Sequence, residues 1–323
     1  MSAAAPTRPC GVFAGLATLD VIHRIPASPG VNQKITATAQ FVAAGGPAAN
    51  AAVAFAALGG RAVLLTALGT GPIAETIAAE LRGVGVEVVD VAPDLVEAAP
   101  VSSVAVLETT GERSVIGGDA AGLVVPAPDP AQVRELVGPA DVVLLDGHHP
   151  ALAQAVLAEA RVHGRPTVLD AGRWKPVMED LVGGVSDVVA SADYRTPGAE
   201  TSEETAAELR RRGAEVVVVT AGADPVRWWA GERSGEVPAV QVEAVDTLAA
   251  GDVFHGAYAH ALAEGAGIEE RIRVGAEVAA VRVSRGGAAG VDRGGGGAGV
   301  GRARKRDIRA MTVDNCHGMD IAH

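Results

Sequence analysis

Residues 245–265 read VDTLAAGDVFHGAYAHALAEG, and no other stretch of the chain says as much about its fold and chemistry. A turn of small residues leads directly into Asp252 and then into an apolar helical run. The first N–H groups of a helix lack partners within it and carry partial positive charge, so this turn predicts an anion site suited to a phosphoryl group. Asp252 beside that site would accept the proton of an attacking hydroxyl group. The alternative is that Asp252 only caps the helix.

A second glycine-rich segment lies far upstream, at residues 45–60, with the sequence GGPAANAAVAFAALGG. Its first two glycines lead into an Ala-rich helix, and its last two end that helix. Because Gly45 and Gly46 have no side chain, a ligand can approach the backbone closely there. Asn50 carries an amide that both donates and accepts, which suits a polyhydroxylated ligand. The alternative is an ordinary helix start with Asn50 on its surface.

Short apolar runs alternate with helical segments through most of the chain. Residues 11–22 predict one buried strand, and later strands are predicted at runs such as DVVLLDG, PTVLDAG, VSDVVASAD and AEVVVVTAG. This alternation predicts an α/β fold, a three-layer α/β/α sandwich with a mostly parallel central sheet. Two segments, at about 23–43 and 100–118, do not fit the alternation. Their runs ITATAQFV and SSVAVLETTGERSVIGG predict a small β-sheet that acts as a lid.

Polar residues follow several of the predicted strands, where ligands of a parallel sheet collect. These residues are Asp20, Asp146, Asp170, Asp193 and Thr220. His148 and His149 also follow a strand, but no partners at metal-ligand spacing accompany them, so a loop or substrate-edge role is favoured. Arg173 and Lys175 follow another strand and face either an anionic ligand or solvent.

Composition narrows the class of protein. The chain has 323 residues, is 48% hydrophobic, and has a formal net charge of -12. That charge disfavours nucleic acid or an anionic membrane surface as the main partner. We expect a cytoplasmic protein, because neither a signal-peptide core nor an apolar run of membrane-spanning length occurs. Residues 291–323 are rich in Gly and Arg without amphipathic periodicity, so we expect that tail to be poorly ordered.

Taken together, the two glycine-rich segments resemble the two signatures of the ribokinase-like (PfkB) carbohydrate kinases. The first signature, Gly-Gly-x-small-x-Asn, falls on residues 45–50 without a gap. The second, Asp-Thr-x-Gly-Ala-Gly-Asp, falls on residues 246–252, with Ala249 in place of a usual glycine. The resemblance runs from about Val12 to Gly286, and its motifs stand in the order of the family.

The resemblance implies that residues 11–290 form a sugar kinase that uses ATP and Mg²⁺, with Asp252 as catalytic base. The backbone N–H groups implied to form the anion hole belong to Ala249, Ala250 and Gly251. The residues implied to bind a small-molecule sugar are Asp20, Gly45, Gly46, Asn50 and, from the lid, Arg113. Those implied to lie on the nucleotide side are Thr220, Gly222, Asp193 and Thr247. Mg²⁺ would be held mainly by phosphates and water rather than by protein ligands, and a homodimer would form through the lid.

The chain also departs from the family pattern. The usual Asn-x-x-Glu, whose Glu orders Mg²⁺ through water, reads SADY at residues 191–194, where Asp193 is the substitute carboxylate. Thr70 and Pro225 replace a usual aspartate and glycine. Two alternatives stay open: a nucleoside kinase of the same fold, and a non-catalytic regulator that binds a sugar or nucleotide. A dinucleotide-binding dehydrogenase is disfavoured, because no Gly-x-Gly-x-x-Gly follows the first strand.

Overall fold

The structure, a computed structural model, describes residues 8–96 and 98–285 of the chain. The predicted tail at 291–323 lies outside the described residues. The strands are β1 (Cys10–Ala14), β2 (Thr18–Ile25), β3 (Ala39–Gly45), β4 (Arg61–Thr66), β5 (Val86–Asp90), β6 (Val101–Leu107), β7 (Arg113–Gly117), β8 (Val142–Leu145), β9 (Thr167–Ala171), β10 (Asp187–Ser191), β11 (Val216–Ala221), β12 (Asp224–Ala230) and β13 (Arg233–Val237). The helices are α1 (Pro47–Ala57), α2 (Pro72–Gly83), α3 (Pro130–Val137), α4 (Pro150–Val162), α5 (Met178–Leu181), α6 (Ser202–Arg211), α7 (Ala250–Ala263) and α8 (Ile268–Val283).

The main sheet has nine strands in the order β13-β12-β11-β10-β9-β8-β1-β4-β5. From β5 to β11 every pairing is parallel, and β12 and β13 join antiparallel at the edge. The chain leaves β1 in one direction towards β4 and later returns to β8 on its other side. The crevice at the carboxyl ends of β1 and β8 is therefore the switch point where ligands of such sheets bind.

Alternate residues of the same strands pack against opposite helical layers. Phe13, Leu64 and Leu144 belong to one core with helices α1, α2, α7 and α8. Val12 and Leu145 belong to the other core, with helices α3, α4, α5 and α6. Because neighbouring residues of a strand point to opposite faces, these two cores make three layers. The predicted α/β/α sandwich is confirmed.

A separate sheet of four strands, in the order β3-β2-β6-β7, accompanies the main sheet. Such a sheet was predicted from the two segments that do not fit the alternation of strands and helices. One detail of the prediction was wrong. Residues 11–22 form not one strand but two, and these belong to different sheets. The break comes at Gly15 and Leu16, where Gly15 N–H bonds to Leu65 and Leu16 N–H bonds to Asp146. These bonds hold the chain at the end of the main sheet and direct it into the small one.

One glycine contact bears on the site. Helices α1 and α7 pack closely at Gly256. A Cβ built on this residue would lie 2.2 Å from the carbonyl oxygen of Ala51, so only glycine permits this approach.

The antiparallel strands β12 and β13 were not predicted, because DPVRWWAGERSGEV lacks a clear apolar alternation. Among the described residues, no helix is both apolar and long enough to cross a bilayer.

Candidate active site

The two glycine-rich segments meet through one hydrogen bond. Asn50, in α1, donates from Nδ2 to Oδ2 of Asp252, in the first turn of α7, over 2.8 Å. The close packing of α1 on α7 brings these two side chains together. Asp252 therefore contacts the other signature and is not solely a helix cap.

The glycine pair makes room for protein atoms. A Cβ on Gly45 would lie 2.1 Å from Oδ2 of Asp20, and a Cβ on Gly46 would lie 2.4 Å from the carbonyl oxygen of Leu16. Gly46 also has a φ of 100°, which disfavours other residues. These glycines therefore position the half-buried Asp20 and the β1–β2 connection.

The turn before α7 differs in one respect from the predicted anion hole. Ala249 adopts the left-handed conformation with a φ of 58°, and α7 begins at the next residue. The N–H of Ala250 donates to the carbonyl oxygen of Thr247 at 3.3 Å, so this N–H is already engaged within the turn. Of the three N–H groups predicted to bind an anion, those of Ala249 and Gly251 fit the assignment better.

Burial and, to a smaller extent, the charge of Asp170 raise the pKa of Asp252, which lies at about 6. Three groups oppose this rise: the hydrogen bond from Asn50 and the charges of His255 and Arg113. Beneath the carboxylate, His255 has its Nδ1 3.5 Å from Oδ2 of Asp170 and its Nε2 3.1 Å from the carbonyl oxygen of Val189. A carboxylate with a raised pKa binds a proton more strongly than an exposed aspartate does, as a general base requires.

Asp252 faces a cavity of about 240 Å³ at the switch point of the sheet. The residues that line it are Pro47, Asp119, Asp146, His148, Asp170, Gly172, Arg173, Lys175 and Asp252. Five of these are strand-end polar residues singled out from the sequence, but their assembly around Asp252 was not predicted. The exposed Arg173 forms an ion pair with Asp119, so it turns towards the cavity rather than to solvent alone.

Asp146 holds the floor of this cavity together. It is 1% exposed and accepts hydrogen bonds from the N–H groups of Leu16 at 2.8 Å, Ala48 at 3.2 Å and His148 at 2.8 Å. Burial alone would raise the pKa of Asp146, but His148, Lys175 and these N–H groups hold it well below its usual range. An ionised carboxylate thus ties the β1–β2 connection, α1 and the turn after β8 into one unit.

The remaining predicted residues fall into two groups. Arg113 is exposed on β7, and its Nη1 lies 3.4 Å from Oγ1 of Thr247, so both residues sit where the small sheet meets the turn before α7. Asp193 follows β10, Thr220 lies at the end of β11, and Gly222 follows β11. None of the three is among the cavity-lining residues. Asp193 is exposed, and Gly222 forms the turn into β12 with a φ of 60°.

Comparisons with known proteins agree with this geometry. Residues 12–292 match the model of the pfkB family carbohydrate kinases. The chain is 26% identical to ribokinase of Bacillus subtilis over 282 residues, covering 85% of this chain and 93% of that protein. It is 25% identical to ribokinase of Haemophilus influenzae over 283 residues, covering 85% and 92%.

A solved structure of Arabidopsis thaliana ribokinase, complexed with ribose and ATP, superimposes with a TM-score of 0.71 at 25% identity. That superposition covers 87% of this chain and 95% of the plant protein. The match of the family model spans most of the chain and includes both glycine-rich segments. This chain belongs to the pfkB family of carbohydrate kinases.

Proposed function

We propose that this protein transfers the γ-phosphoryl group of ATP to a hydroxyl group of a sugar, with Asp252 as the general base. The observation that carries the proposal is the 2.8 Å hydrogen bond between Asn50 and Asp252 at the cavity. It joins a group suited to sugar hydroxyls to a carboxylate with a raised pKa. The helix end beside that carboxylate favours negative charge.

In the proposed reaction the sugar oxygen attacks the γ-phosphorus, and the bond between that phosphorus and the β–γ bridging oxygen breaks. Asp252 takes the hydroxyl proton, and ADP leaves with the bridging oxygen. The N–H groups of Ala249 and Gly251 would stabilise the phosphoryl oxygens during transfer. Arg113 on the small sheet would add positive charge from the opposite side, and closure of that sheet would exclude water.

His148 is the residue we add to the sugar site. It is 8% exposed and lines the cavity, and Asp146 holds it with Oδ1 3.1 Å from Nδ1. Neither its Nδ1 nor its Nε2 has a hydrogen-bond partner among residues 8–96 and 98–285. A buried polar atom without a partner is costly, so a sugar hydroxyl in the cavity would satisfy it. Asp20 would bind other hydroxyls from β2.

The nucleotide would lie along the ends of β10 and β11, beside Thr220 and Gly222. The ATP bound to the plant ribokinase supports ATP as the donor. For Mg²⁺, the exposed Asp193 offers the hard oxygen donor that this ion prefers. No group of three or more His, Cys, Asp or Glu side chains suited to a metal occurs within the described residues, so phosphates and water would supply most ligands. When bound, Mg²⁺ would neutralise phosphate charge.

A substrate panel tests the proposal. Fructose, ribose, ketodeoxygluconate and adenosine would each be supplied with MgATP, and ADP formation would be followed in a coupled assay. We expect turnover with at least one sugar. Sugar binding by calorimetry without any ADP formation would instead support a non-catalytic regulator and overturn the kinase proposal.

A nucleoside kinase is the second candidate, and the small sheet carries the observation that favours it. Ile22 and Phe41 are register partners in β2 and β3, and Ile22 also pairs with Val104, beside Val115. These apolar residues share a sheet face with Asp20 and Arg113, because alternate residues of a strand point the same way. Such a face would accommodate a nucleobase, and turnover of adenosine but of no free sugar would favour this candidate.

The opposite face of the small sheet supports a homodimer. Ile116 is 77% exposed and Val101 is 42% exposed, and both lie on the face that carries Ser103. Apolar side chains exposed together favour association. Light scattering should give a dimer that Ile116→Lys converts to a monomer, and a monomeric wild type would refute this proposal.

A further inference from the structure

A buried carboxylate joins three parts of the fold just before α7. Asp246 lies in the segment 245–249, here called the α7 approach loop, and is 2% exposed. Its Oδ2 lies 3.2 Å from Nη2 of Arg24 in β2 and 3.3 Å from Nη2 of Arg282 in α8. Its Oδ1 accepts a hydrogen bond from the N–H of Leu248 at 2.9 Å. The small sheet, the loop and α8 therefore meet at one side chain.

A second set of contacts fastens the same loop to the hairpin of the small sheet. The N–H and Oγ1 of Thr247 both donate to the carbonyl oxygen of Gly111, at 3.1 Å and 2.9 Å. Gly111 lies in the turn between β6 and β7 with a φ of 69°, and a Cβ there would lie 2.9 Å from the carbonyl of Val245. The turn and the loop thus touch backbone to backbone.

On its other side the loop is held by α8. The N–H groups of Val245 and Asp246 both donate to the carbonyl oxygen of Val283, at 2.9 Å and 3.2 Å. Directly after these two attachments the chain runs through Ala249 into Asp252. A shift of the small sheet relative to α8 would therefore pull directly on the turn that positions the proposed base.

The stability of this connection depends on the charge of Asp246. A buried carboxylate is destabilising unless oppositely charged groups pair with it. Arg24 supplies one such group only while the small sheet rests against the loop. Arg24 shares a face of β2 with Asp20, because alternate residues of a strand point the same way. A sugar held by Asp20 would fix the same strand face that carries Arg24.

We propose that Arg24 is a positioning residue for phosphoryl transfer: through Asp246 it couples the placement of the small sheet to the conformation of the turn that leads into Asp252. The inference rests on the proposed function, but the coupling itself concerns only the protein. Closure over a sugar and assembly of the phosphate-binding turn would then be one step rather than two.

The test is Arg24→Gln, which leaves Asp246 paired with Arg282 and bonded to Leu248, so the fold should persist. Hydrogen exchange should become faster in residues 245–252 and in the hairpin turn together. Turnover at saturating sugar and ATP should fall by about 10- to 100-fold, as expected when a catalytic group is misplaced, with the KM for ATP little changed. Arg24→Lys should restore part of the turnover.

His23→Gln is the matched control, because His23 neighbours Arg24 on the opposite face of β2. Unchanged exchange in residues 245–252 of Arg24→Gln would overturn the coupling, as would equal effects in the control. If Arg24→Gln does not fold, Thr247→Val is the second variant, because it removes the hydrogen bond from Oγ1 of Thr247 to Gly111. Unchanged hydrogen exchange of the hairpin turn in Thr247→Val would overturn the inference. If the wild type phosphorylates no alcohol, the proposed function fails, while the exchange experiment still decides the coupling.

Discussion

Replacement of Asp252 by Asn should lower turnover and raise stability at the same time. The amide cannot take the proton of the attacking hydroxyl, and the loss of a general base lowers the rate by about 10²- to 10⁴-fold. The shape of the side chain is retained, and the amide oxygen can still accept the hydrogen bond from Asn50, which is 2.8 Å long in the wild type. Binding of ATP should therefore be preserved.

The stability gain follows from the raised pKa of Asp252. Its folded-state pKa rises from 3.8 to about 6. A group with a raised pKa disfavours its charged form, so the folded state loses stability as the pH rises through the interval between those values. At about 1.4 kcal/mol per pKa unit, the full loss is about 3 kcal/mol above that interval. Asn is neutral throughout, so the variant should gain about 1–3 kcal/mol in free energy of unfolding at pH 8 and nothing at pH 4.

Two assays check this pair of expectations. A coupled ADP assay at saturating sugar and ATP measures turnover, and urea denaturation at pH 4 and pH 8 measures stability. Asp94→Asn is the matched control, because Asp94 is exposed and does not line the cavity. Unchanged turnover in Asp252→Asn would remove the proposed base. A marked loss of stability at pH 8 would show that Asp252 is a structural carboxylate instead.

Three further predictions concern pH, sugar binding and stability. Asp170→Asn should shift the acid limb of the kcat/KM profile to a lower pH than its wild-type position near pH 6. The proposed base, Asp252, must be ionised to act, and the neutral amide at position 170 no longer repels the ionised carboxylate. Gly45→Ala should raise the KM for sugar by about tenfold, because its methyl group would lie 2.1 Å from Oδ2 of Asp20 and overpacking of this kind costs about 1–3 kcal/mol. Arg271→Leu should lower the free energy of unfolding in urea by about 3–5 kcal/mol, because the buried Asp187 loses its ion pair.

Each of these has a control that shares its chemistry. An acid limb that stays in place, or one that Asp94→Asn moves equally, would contradict the proposed influence of Asp170. Gly83→Ala should leave the KM unchanged, because nothing lies within 4 Å of a Cβ built there. Arg273→Leu removes only an exposed ion pair and should change stability by less than about 1 kcal/mol. Equal losses in the two arginine variants would refute the assigned importance of the buried pair.

Local patterns in the sequence were sufficient to predict the layers of this fold and the two glycine-rich segments of the candidate active site. Apolar runs alternating with helical periods predict a covered parallel sheet, because burial on both faces demands such runs. Small residues before Asp252 predict a helix start open to a ligand, and the misfit segments at 23–43 and 100–118 predict the second sheet. Each of these inferences depends only on neighbours along the chain.

What the sequence could not reveal were the contacts between distant segments and the energies that depend on them. Residues 11–22 look like one strand, yet bonds to Leu65 and Asp146 divide them between two sheets. Asn50 and Asp252 are 202 positions apart and meet only because α1 packs on α7. The raised pKa of Asp252 arises from burial and from the charge of Asp170, and both depend on tertiary packing. The pairing of Arg24 with Asp246 likewise joins charges that only tertiary packing brings together. Periodicity determines which residues are buried, and only the folded chain determines what lies beside them.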